Sequence, residues 1–296
     1  MRPELVQIDA FCDRAFRGNP AAICLLDRVP EDEWMQELAL EMNLSETAYL
    51  VPLELPGGEP GWSLRWFTPT VEVDLCGHAT LAAAHYLYEH RSVERPLLRF
   101  ATRSGELTAA RAADGWIELD FPADPTHPVP PPAGVVEALG LDHGQVVGSA
   151  VGNHNVVIEL ASPEHVRAVR PDMDALREAE AASVVVTSVG EGLYDIVSRY
   201  FAPRYGIPED PVTGSAHCTL ATYWAPRLGK EDLLAHQASA RGGVVRVGLR
   251  DERVKLGGQA VTVFKARLTD VALPPRSRPA RSGSRARARQ AGADHA

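Results

Sequence analysis

An internal repeat is the feature of this sequence that most limits its fold. The segments FTPTVEVDLCGHATLAAAHYLYEH, residues 67–90, and FAPRYGIPEDPVTGSAHCTLATYWAPRLG, residues 201–229, share one order of features. Each runs from Phe-x-Pro through an acidic loop to a glycine, and then through small residues into an apolar, helix-favouring segment. Aligning Gly77 with Gly214 predicts two related α+β domains, each with one buried helix that begins just after a glycine turn. The alternative is chance similarity, because glycine before a helix is common.

A Pro-rich stretch divides the chain nearly in half. It is FPADPTHPVPPPAG, residues 121–134, and its composition is typical of a linker. Before it, LVQIDAF and TAYLVPL predict strands and EDEWMQELALEM predicts an amphipathic helix. After it, turn-punctuated segments such as RGGVVRVGLRDERVKL predict antiparallel hairpins. The sequence therefore predicts a first domain at residues 1–120 and a second at residues 135–272.

Charge is distributed unevenly along the chain. The formal charge is −9, but residues 276–296 hold six Arg and one Asp, so this tail carries +5 and the rest −14. We expect the tail to be disordered because it lacks large apolar residues. It is either a solvated extension or an arm for RNA or an acidic partner. The acidic remainder argues against nucleic-acid binding by the core.

The sequence also bears on location and on cysteine chemistry. No apolar run approaches the roughly 18 residues of a membrane span, and the start lacks the features of a signal peptide. We therefore expect a cytoplasmic protein with no membrane partner. The four cysteines lie far apart without a C-x-x-C pair: Cys12, Cys24, Cys76 and Cys218. This spacing argues against a zinc site and a disulfide framework, and predicts free thiols.

The two predicted helix starts suggest a binding site for an anion. A helix start has unpaired N–H groups and the positive end of the helix dipole, and small residues let a ligand come close. Two starts that face one cleft would hold the carboxylate or phosphate of a small acidic metabolite. The segments lack the P-loop Gly-Lys-Ser/Thr, and no G-x-G-x-x-G follows a strand. A nucleotide cofactor is therefore not supported.

One acid occupies an unusual place in MNLSETAYL, residues 42–50. Glu46 stands where an apolar strand begins, although ionised groups are costly to desolvate. On the residues alone, a surface acid at a strand edge is the simpler interpretation, because most isolated carboxylates are solvated.

Several motifs together resemble the PhzF-like isomerase family, which is named for a phenazine-biosynthesis enzyme. They are IDAFCDRAFRGNPAAICLL, MNLSETAYL, RWFTPTVEVDLCGHATLAAAHYL, GIPEDPVTGSAHCTLATYW and the closing RGGVVRVGL and VKLGGQAVTV, which together span about residues 5–268. The resemblance implies the fold of diaminopimelate epimerase, in which two similar domains each wrap a β-sheet around a central helix. The active site would lie in the cleft between the domains. The resemblance also implies a homodimer that uses no cofactor and no metal.

The resemblance further implies roles for particular residues. Glu46 would act as the general acid/base that transfers the proton. Residues at the two helix starts would bind the substrate: Gly77, His78, Asp210, Gly214 and Ser215. On the residues alone, Asp210 is equally well a turn cap, since Asp-Pro initiates turns, and His78 is equally well a packed core histidine.

Two other functions stay open. In the epimerases of this fold two thiols act from opposite faces, and Cys76 lies in the place of the first. The second position falls near Pro211, which has no acid/base chemistry, so Cys76 is more simply a small buried residue with at most a minor role. Cys218 is interpreted as a core residue in the same way. The other open function is a non-catalytic protein that binds a metabolite or partner with the same fold, since fold does not prove activity.

Two features limit what can be said of the substrate. The phenazine enzyme typically has Gly-His-Pro where this chain has Gly77-His78-Ala79, so dihydro-hydroxyanthranilate is not assigned as the substrate. His154 in the GNHNVV segment is either a substrate contact or, more simply, a histidine at a turn or strand edge.

Overall fold

The computed structural model describes residues 3–91 and 93–274. Within them the chain forms eighteen β-strands, six α-helices and three short 3-10 helices. None of these helices combines the length and the apolar composition that crossing a bilayer requires. The predicted Arg-rich tail, residues 276–296, lies outside the described residues.

The strands of the first half are β1 (Glu4–Ala10), β2 (Asn19–Leu25), β3 (Glu46–Glu54), β4 (Pro60–Phe67), β5 (Glu72–Val73), β6 (Leu97–Thr102), β7 (Gly105–Arg111), β8 (Ile117–Pro122) and β9 (His127–Pro128). Those of the second half are β10 (Val146–Val151), β11 (Val156–Leu160), β12 (Val184–Val189), β13 (Ile196–Ala202), β14 (Ile207–Asp210), β15 (Asp232–Gln237), β16 (Gly243–Arg250), β17 (Arg253–Gly258) and β18 (Ala260–Arg267). The α-helices are α1 (Asp32–Met42), α2 (Gly77–His90), α3 (Val135–Ala138), α4 (Pro163–Ala168), α5 (Met173–Glu178) and α6 (Gly214–Leu228). The 3-10 helices are His143–Gln145, Pro203–Tyr205 and Asp270–Ala272.

Two runs of elements repeat one topology. In the first run, β1 and β2 are antiparallel, β2 and β3 parallel, β3 and β4 antiparallel, β4 and β6 parallel, and β6, β7 and β8 antiparallel. The second run repeats these pairings in order through β10, β11, β12, β13, β15, β16 and β17. Helix α2 stands between β5 and β6, and α6 stands between β14 and β15. The predicted α+β class with two related halves is confirmed.

Each half encloses one central helix. Helix α2, GHATLAAAHYLYEH, is buried along most of its length and packs against β1, β2, β3, β7, β8 and β18. Because strands surround the helix, it has no continuous polar face. Its alanines allow those strands to approach closely. Helix α6 packs against β15, β16 and β17 and ends at Leu228, and the residue after it, Gly229, has a φ of 63°, which glycine adopts without strain. Because Leu81 of α2 is fully buried, its replacement by alanine would cost about 2–5 kcal/mol.

In the part of the chain that the structure describes, strand pairings join the two halves at three places, and one of them is the antiparallel pair of β9 with β10. Strand β18 comes last in sequence, yet it pairs antiparallel with β1, and β17 pairs antiparallel with β8. These pairings join all the strands into one continuous sheet. The predicted linker, residues 121–134, contains the end of β8 and all of β9. The division of the chain at this stretch stays a prediction.

Candidate active site

A cavity of about 360 Å³ lies where the two central helices begin. Its wall contains every residue that the sequence predicted for the site: Glu46, Gly77, His78, Asp210, Gly214 and Ser215. Cys76, Cys218 and His154 also line it. The fold thus brings together, from both halves, residues that are up to about 170 positions apart in the chain.

The two helix starts meet at this cavity. A Cβ atom built on Gly77 would lie 3.4 Å from the Cα of Gly214, so the backbones of α2 and α6 nearly touch. Neither N-cap side chain, of Cys76 or of Thr213, caps its own helix. The first intrahelical bonds run from Thr80 to Cys76 and from His217 to Thr213. The N–H groups of residues 77–79 and 214–216 therefore have no acceptor within their helices, which suits them to an anion.

Glu46 and His78 form an enclosed pair on one wall. Strand β3 begins at Glu46, and α2 carries His78 in its first turn. Oε2 of Glu46 lies 2.9 Å from Nε2 of His78, and the two side chains are only 12% and 7% exposed. Burial lowers the pKa of His78, but Cys76 and Glu46 raise it, and the net pKa lies well above the ordinary 6.5. A positive charge on His78 complements a carboxylate at Glu46.

Cys76 completes this wall as a neutral thiol. Its Sγ lies 3.5 Å from Nδ1 of His78. Burial, and then the negative charge of Glu46, raise the pKa of this thiol to about 11. Because the thiol is uncharged near neutral pH, Cys76 acts on His78 as a hydrogen-bond partner, and Glu46 supplies negative charge beside the ring.

Asp210 lies on the second half's side of the cavity. Its carboxylate accepts hydrogen bonds from Asn19 Nδ2 at 2.9 Å and from the Thr213 hydroxyl at 2.5 Å. Burial raises the pKa of Asp210 to about 6, while His78 and these two hydrogen bonds act in the opposite direction. The Asp210 carbonyl accepts a further bond from Gln237 Nε2 at 2.7 Å. The loop that precedes α6 is therefore held by several polar bonds.

Three polar residues at this place were not assigned a role from the sequence. Asn19 is fully buried and bonds across the cleft to the second half, and Gln237 is fully buried behind Asp210. Asp124, from the predicted linker, lines the cavity and accepts bonds from Asn153 N at 2.7 Å and from the Thr219 hydroxyl at 2.6 Å. Asn19 stands in the GNP motif that contributes to the resemblance, so its position was marked, but its contacts depend on the fold.

The geometry bears on thiol chemistry and on metal binding. Burial raises the pKa of Cys218 to about 12, so both thiols of the cavity are poor bases near neutral pH. Ligand atoms of Glu46, Cys76 and His78 lie within 4.8 Å of one another. However, Glu46 and Cys76 approach opposite nitrogens of the His78 ring, so one ion could bind all three only after they move.

A larger cavity lies away from the Glu46–His78 pair. It has a volume of about 630 Å³ and is formed mainly by the loops at residues 11–17 and 239–244. It contains none of the predicted site residues. Its Arg241 is committed to the buried Asp9 at 2.9 Å, and its Arg246 to Asp114 at 2.6 Å. The smaller cavity, which brings together helix starts and enclosed titratable groups, is the better candidate for an active site.

Comparisons with known proteins found similar sequences and structures over most of the chain. A family model described as phenazine biosynthesis-like protein (PhzC-PhzF) matches residues 8–266. An uncharacterised isomerase of Halalkalibacterium halodurans is 45% identical over 272 residues, which cover 90% of this chain and 99% of the relative. The crystal structure of a phenazine biosynthesis PhzF-family protein of Enterococcus faecalis superposes with a TM-score of 0.84 at 37% identity, over 91% of this chain and 100% of that one.

A more distant structure bears on the fold alone. A hydroxyproline epimerase of Agrobacterium vitis superposes with a TM-score of 0.56 at 14% identity, over 90% of this chain and 94% of that one. Together with the repeated topology of the two halves, this likeness confirms the predicted diaminopimelate epimerase-like fold.

Proposed function

The chain belongs to the phenazine biosynthesis-like (PhzC-PhzF) family, and on this premise we propose that it is an isomerase that moves a proton on a small carboxylate-bearing metabolite. The proposed reaction uses no cofactor and no metal. The observation that carries the proposal is the enclosed carboxylate of Glu46, which faces a cavity at two helix starts and lies 2.9 Å from His78. The relative named as an isomerase supports the reaction class.

The substrate carboxylate is expected to bind at the helix starts. N–H groups of residues 77–79 and 214–216 provide hydrogen-bond donors and the positive ends of two helix dipoles. The Ser215 hydroxyl can donate to the same oxygens. Because the chain without its tail carries −14, this local arrangement of backbone donors lets an acidic molecule bind without a large basic patch.

Glu46 is the proposed general acid/base. Its carboxylate takes a proton from a carbon next to an unsaturated or carbonyl-bearing group. The C–H bond breaks, the electron pair moves into that group, and an O–H bond forms on Glu46. Glu46 then returns the proton to another carbon on the same face of the substrate. The backbone N–H groups near Gly77 and Gly214 stabilise the negative charge that develops between these steps.

A thiol mechanism is the weaker alternative. It needs two bases on opposite faces of a carbon, whereas burial raises the pKa of Cys76 to about 11. The N-cap of α6, which is the counterpart of Cys76, is Thr213, and its hydroxyl does not titrate near neutral pH. The homodimer and the cytoplasmic location stay predictions.

A screen for isomer formation tests the proposal. Small unsaturated carboxylates and amino carboxylates are incubated with the wild type and with Glu46→Gln, and products are followed by proton NMR. We expect a new isomer of at least one compound with the wild type only, and we expect Glu46→Gln to bind that compound with nearly unchanged affinity by calorimetry. Normal turnover by Glu46→Gln would exclude the proposed role. Tight binding by both proteins without conversion of any compound would instead support a non-catalytic binding protein.

A further inference from the structure

Asn19 is a polar link between the two halves that the proposed reaction does not use directly. It begins β2 and is fully buried. Its Oδ1 accepts the hydroxyl of Ser45 at 3.0 Å. Its Nδ2 lies 2.9 Å from Asp210 Oδ1, 2.9 Å from the Val212 carbonyl and 3.2 Å from Nδ1 of His78. The amide thus contacts Ser45, which precedes Glu46 in the chain, and the loop before α6. It also contacts His78, which pairs with Glu46.

The orientation of this amide is set by its neighbours. If the amide were turned over, its Oδ1 would face the Val212 carbonyl and the ionised Asp210 carboxylate. Neither group has a hydrogen to donate, so both would repel Oδ1. The NH₂ group therefore faces the second half. It has two hydrogens, and the two oxygens at 2.9 Å are its nearest acceptors. Once both hydrogens are committed there, none is left for Nδ1 of His78.

The His78 ring then has two arrangements. Nε2 lies 2.9 Å from an oxygen of Glu46, so while Glu46 is a carboxylate this nitrogen carries a hydrogen in both arrangements, because two lone pairs would repel at that distance. In the neutral ring, Nδ1 is bare and accepts the S–H of Cys76. In the charged ring, Nδ1 carries a hydrogen and donates it to the sulfur of Cys76, 3.5 Å away. Both arrangements place one hydrogen between Nδ1 and the sulfur, so the surrounding charge decides between them.

The charge around the ring favours the second arrangement. The groups that face or neighbour His78 are Glu46 from β3, Cys76 from the segment before α2, and Asp210 from β14. The cavity wall adds the carboxylate of Asp124. Among the described residues that line the cavity, none is a lysine or an arginine. Buried carboxylates are normally paired with a cation, and His78 is placed to supply it.

We propose that Cys76 is a positioning residue, whose sulfur accepts the Nδ1–H of a doubly protonated His78 while Nε2 of that ring lies in an ion pair with Glu46. Asn19 leaves Nδ1 of His78 to Cys76 by committing its own hydrogens to Asp210 and Val212. The ring is then fixed at both nitrogens, and it holds the Glu46 carboxylate towards the cavity. The consequence for catalysis rests on the proposed function, whereas the hydrogen-bond arrangement does not.

The arrangement can be measured without a substrate. Two-bond ¹⁵N–¹H NMR distinguishes a doubly protonated imidazole from each neutral tautomer. We expect the doubly protonated pattern for His78 at pH 7. His217 is the internal reference, because burial lowers its pKa to about 4 and its Nδ1 lies 2.7 Å from the Thr213 carbonyl. It should give a neutral pattern in the same spectrum. A neutral ring with hydrogen only on Nε2 at His78 would overturn the proposal in favour of the S–H donor.

Two variants distinguish a positioning role of Cys76 from a packing role. Cys76→Ser keeps an acceptor, so His78 should keep its doubly protonated pattern. Cys76→Val fills similar space without an acceptor, so that pattern should be lost at pH 7. An unchanged His217 spectrum shows that the fold is intact in each variant. A doubly protonated His78 in an intact Cys76→Val protein would overturn the role of the sulfur. If the NMR results hold while no isomer forms in the screen, only the proposed function fails.

Discussion

The two halves repeat one polar pair at the base of their central helices. In the first half, the Ser45 hydroxyl donates to Asn19 Oδ1 at 3.0 Å, and in the second the Ser183 hydroxyl donates to Asn155 Oδ1 at 2.9 Å. Each serine comes directly before a strand that pairs in parallel with its neighbour. The pairs support the interpretation of the halves as copies of one unit, beyond the likeness of their helix starts.

The copies differ in the residue that comes after each serine. Strand β3 begins with Glu46, whereas β12 begins with Val184 and is apolar for its first three residues. The amides also differ, because Asn19 crosses to Asp210 and Asn155 stays in its own half on Thr219. At the residue after the serine, the first half therefore has a titratable carboxylate and the second half does not. A single base suits a proton transfer on one face of a substrate, and the difference teaches that a repeated scaffold need not carry repeated chemistry.

Replacing Glu46, the acid that only the first half has at this position, should have the largest effect on turnover. Glu46→Gln keeps the shape of the side chain but cannot take up a proton, so turnover should fall by roughly 10³-fold, as is usual for a general acid/base. Glu54→Gln is the matched control, because Glu54 ends the same strand. Steady-state kinetics on the converted compound decide the matter. Equal losses in both variants would show that the effect comes from the strand and not from the cavity.

Acid should weaken the second half through His217. Burial lowers the pKa of His217 to about 4, against 6.5 in the unfolded chain, so the unfolded state gains its proton first. The stability from the neutral ring is complete above pH 6.5 and is lost as the pH falls from 6.5 towards 4, by about 3 kcal/mol. Burial together with its neighbours gives His78 the opposite net shift, so its contribution is present at low pH and is lost only as the pH rises.

Urea unfolding at pH 7 and near pH 4 measures this loss. His217→Gln should show a smaller loss of unfolding free energy than the wild type. His143→Gln, at an exposed position, should lose as much as the wild type. If His217→Gln and the wild type lose the same amount, the acid sensitivity has another source.

Crowding the helix starts should weaken substrate binding moderately. The Cα of Gly77 lies 3.4 Å from a Cβ built on Gly214, so the larger side chain of Gly214→Val must push α2 and α6 apart. We expect affinity for the converted carboxylate to fall about tenfold, or about 1.4 kcal/mol, by calorimetry. Gly144→Val is the control, because a Cβ there meets nothing within 4 Å. Unchanged affinity in Gly214→Val would place the carboxylate elsewhere.

Replacing Cys218 should have the smallest effect. It lines the cavity from α6, and burial raises its pKa to about 12. Cys218→Ala should keep turnover within about twofold, because the thiol is a small packed residue in this account. Steady-state kinetics of Cys218→Ala, and of the wild type before and after alkylation, check the result. A large loss of turnover would restore a thiol mechanism with a base from each half.

The repeat and the residues at both helix starts could be predicted from the sequence, because each motif lies in one short continuous segment. Gly77 and Gly214 each precede an apolar segment, and Glu46 interrupts the start of an apolar strand. The contacts of Asn19 were not predictable, because they join β2 to a loop about 190 residues later. The pairing of β18 with β1 depends in the same way on long-range strand order. Periodicity specifies that a segment is a strand but not which strand lies beside it.

Deuterium uptake from heavy water tests most directly the claim that one half supplies the base. The compound converted in the screen is incubated with the wild type, Glu46→Gln and Cys76→Ser, and uptake is followed by mass spectrometry. The predicted result is uptake with the wild type and with Cys76→Ser, and none with Glu46→Gln. Uptake that survives in Glu46→Gln but is lost in Cys76→Ser would contradict it and would assign the proton transfer to the thiol.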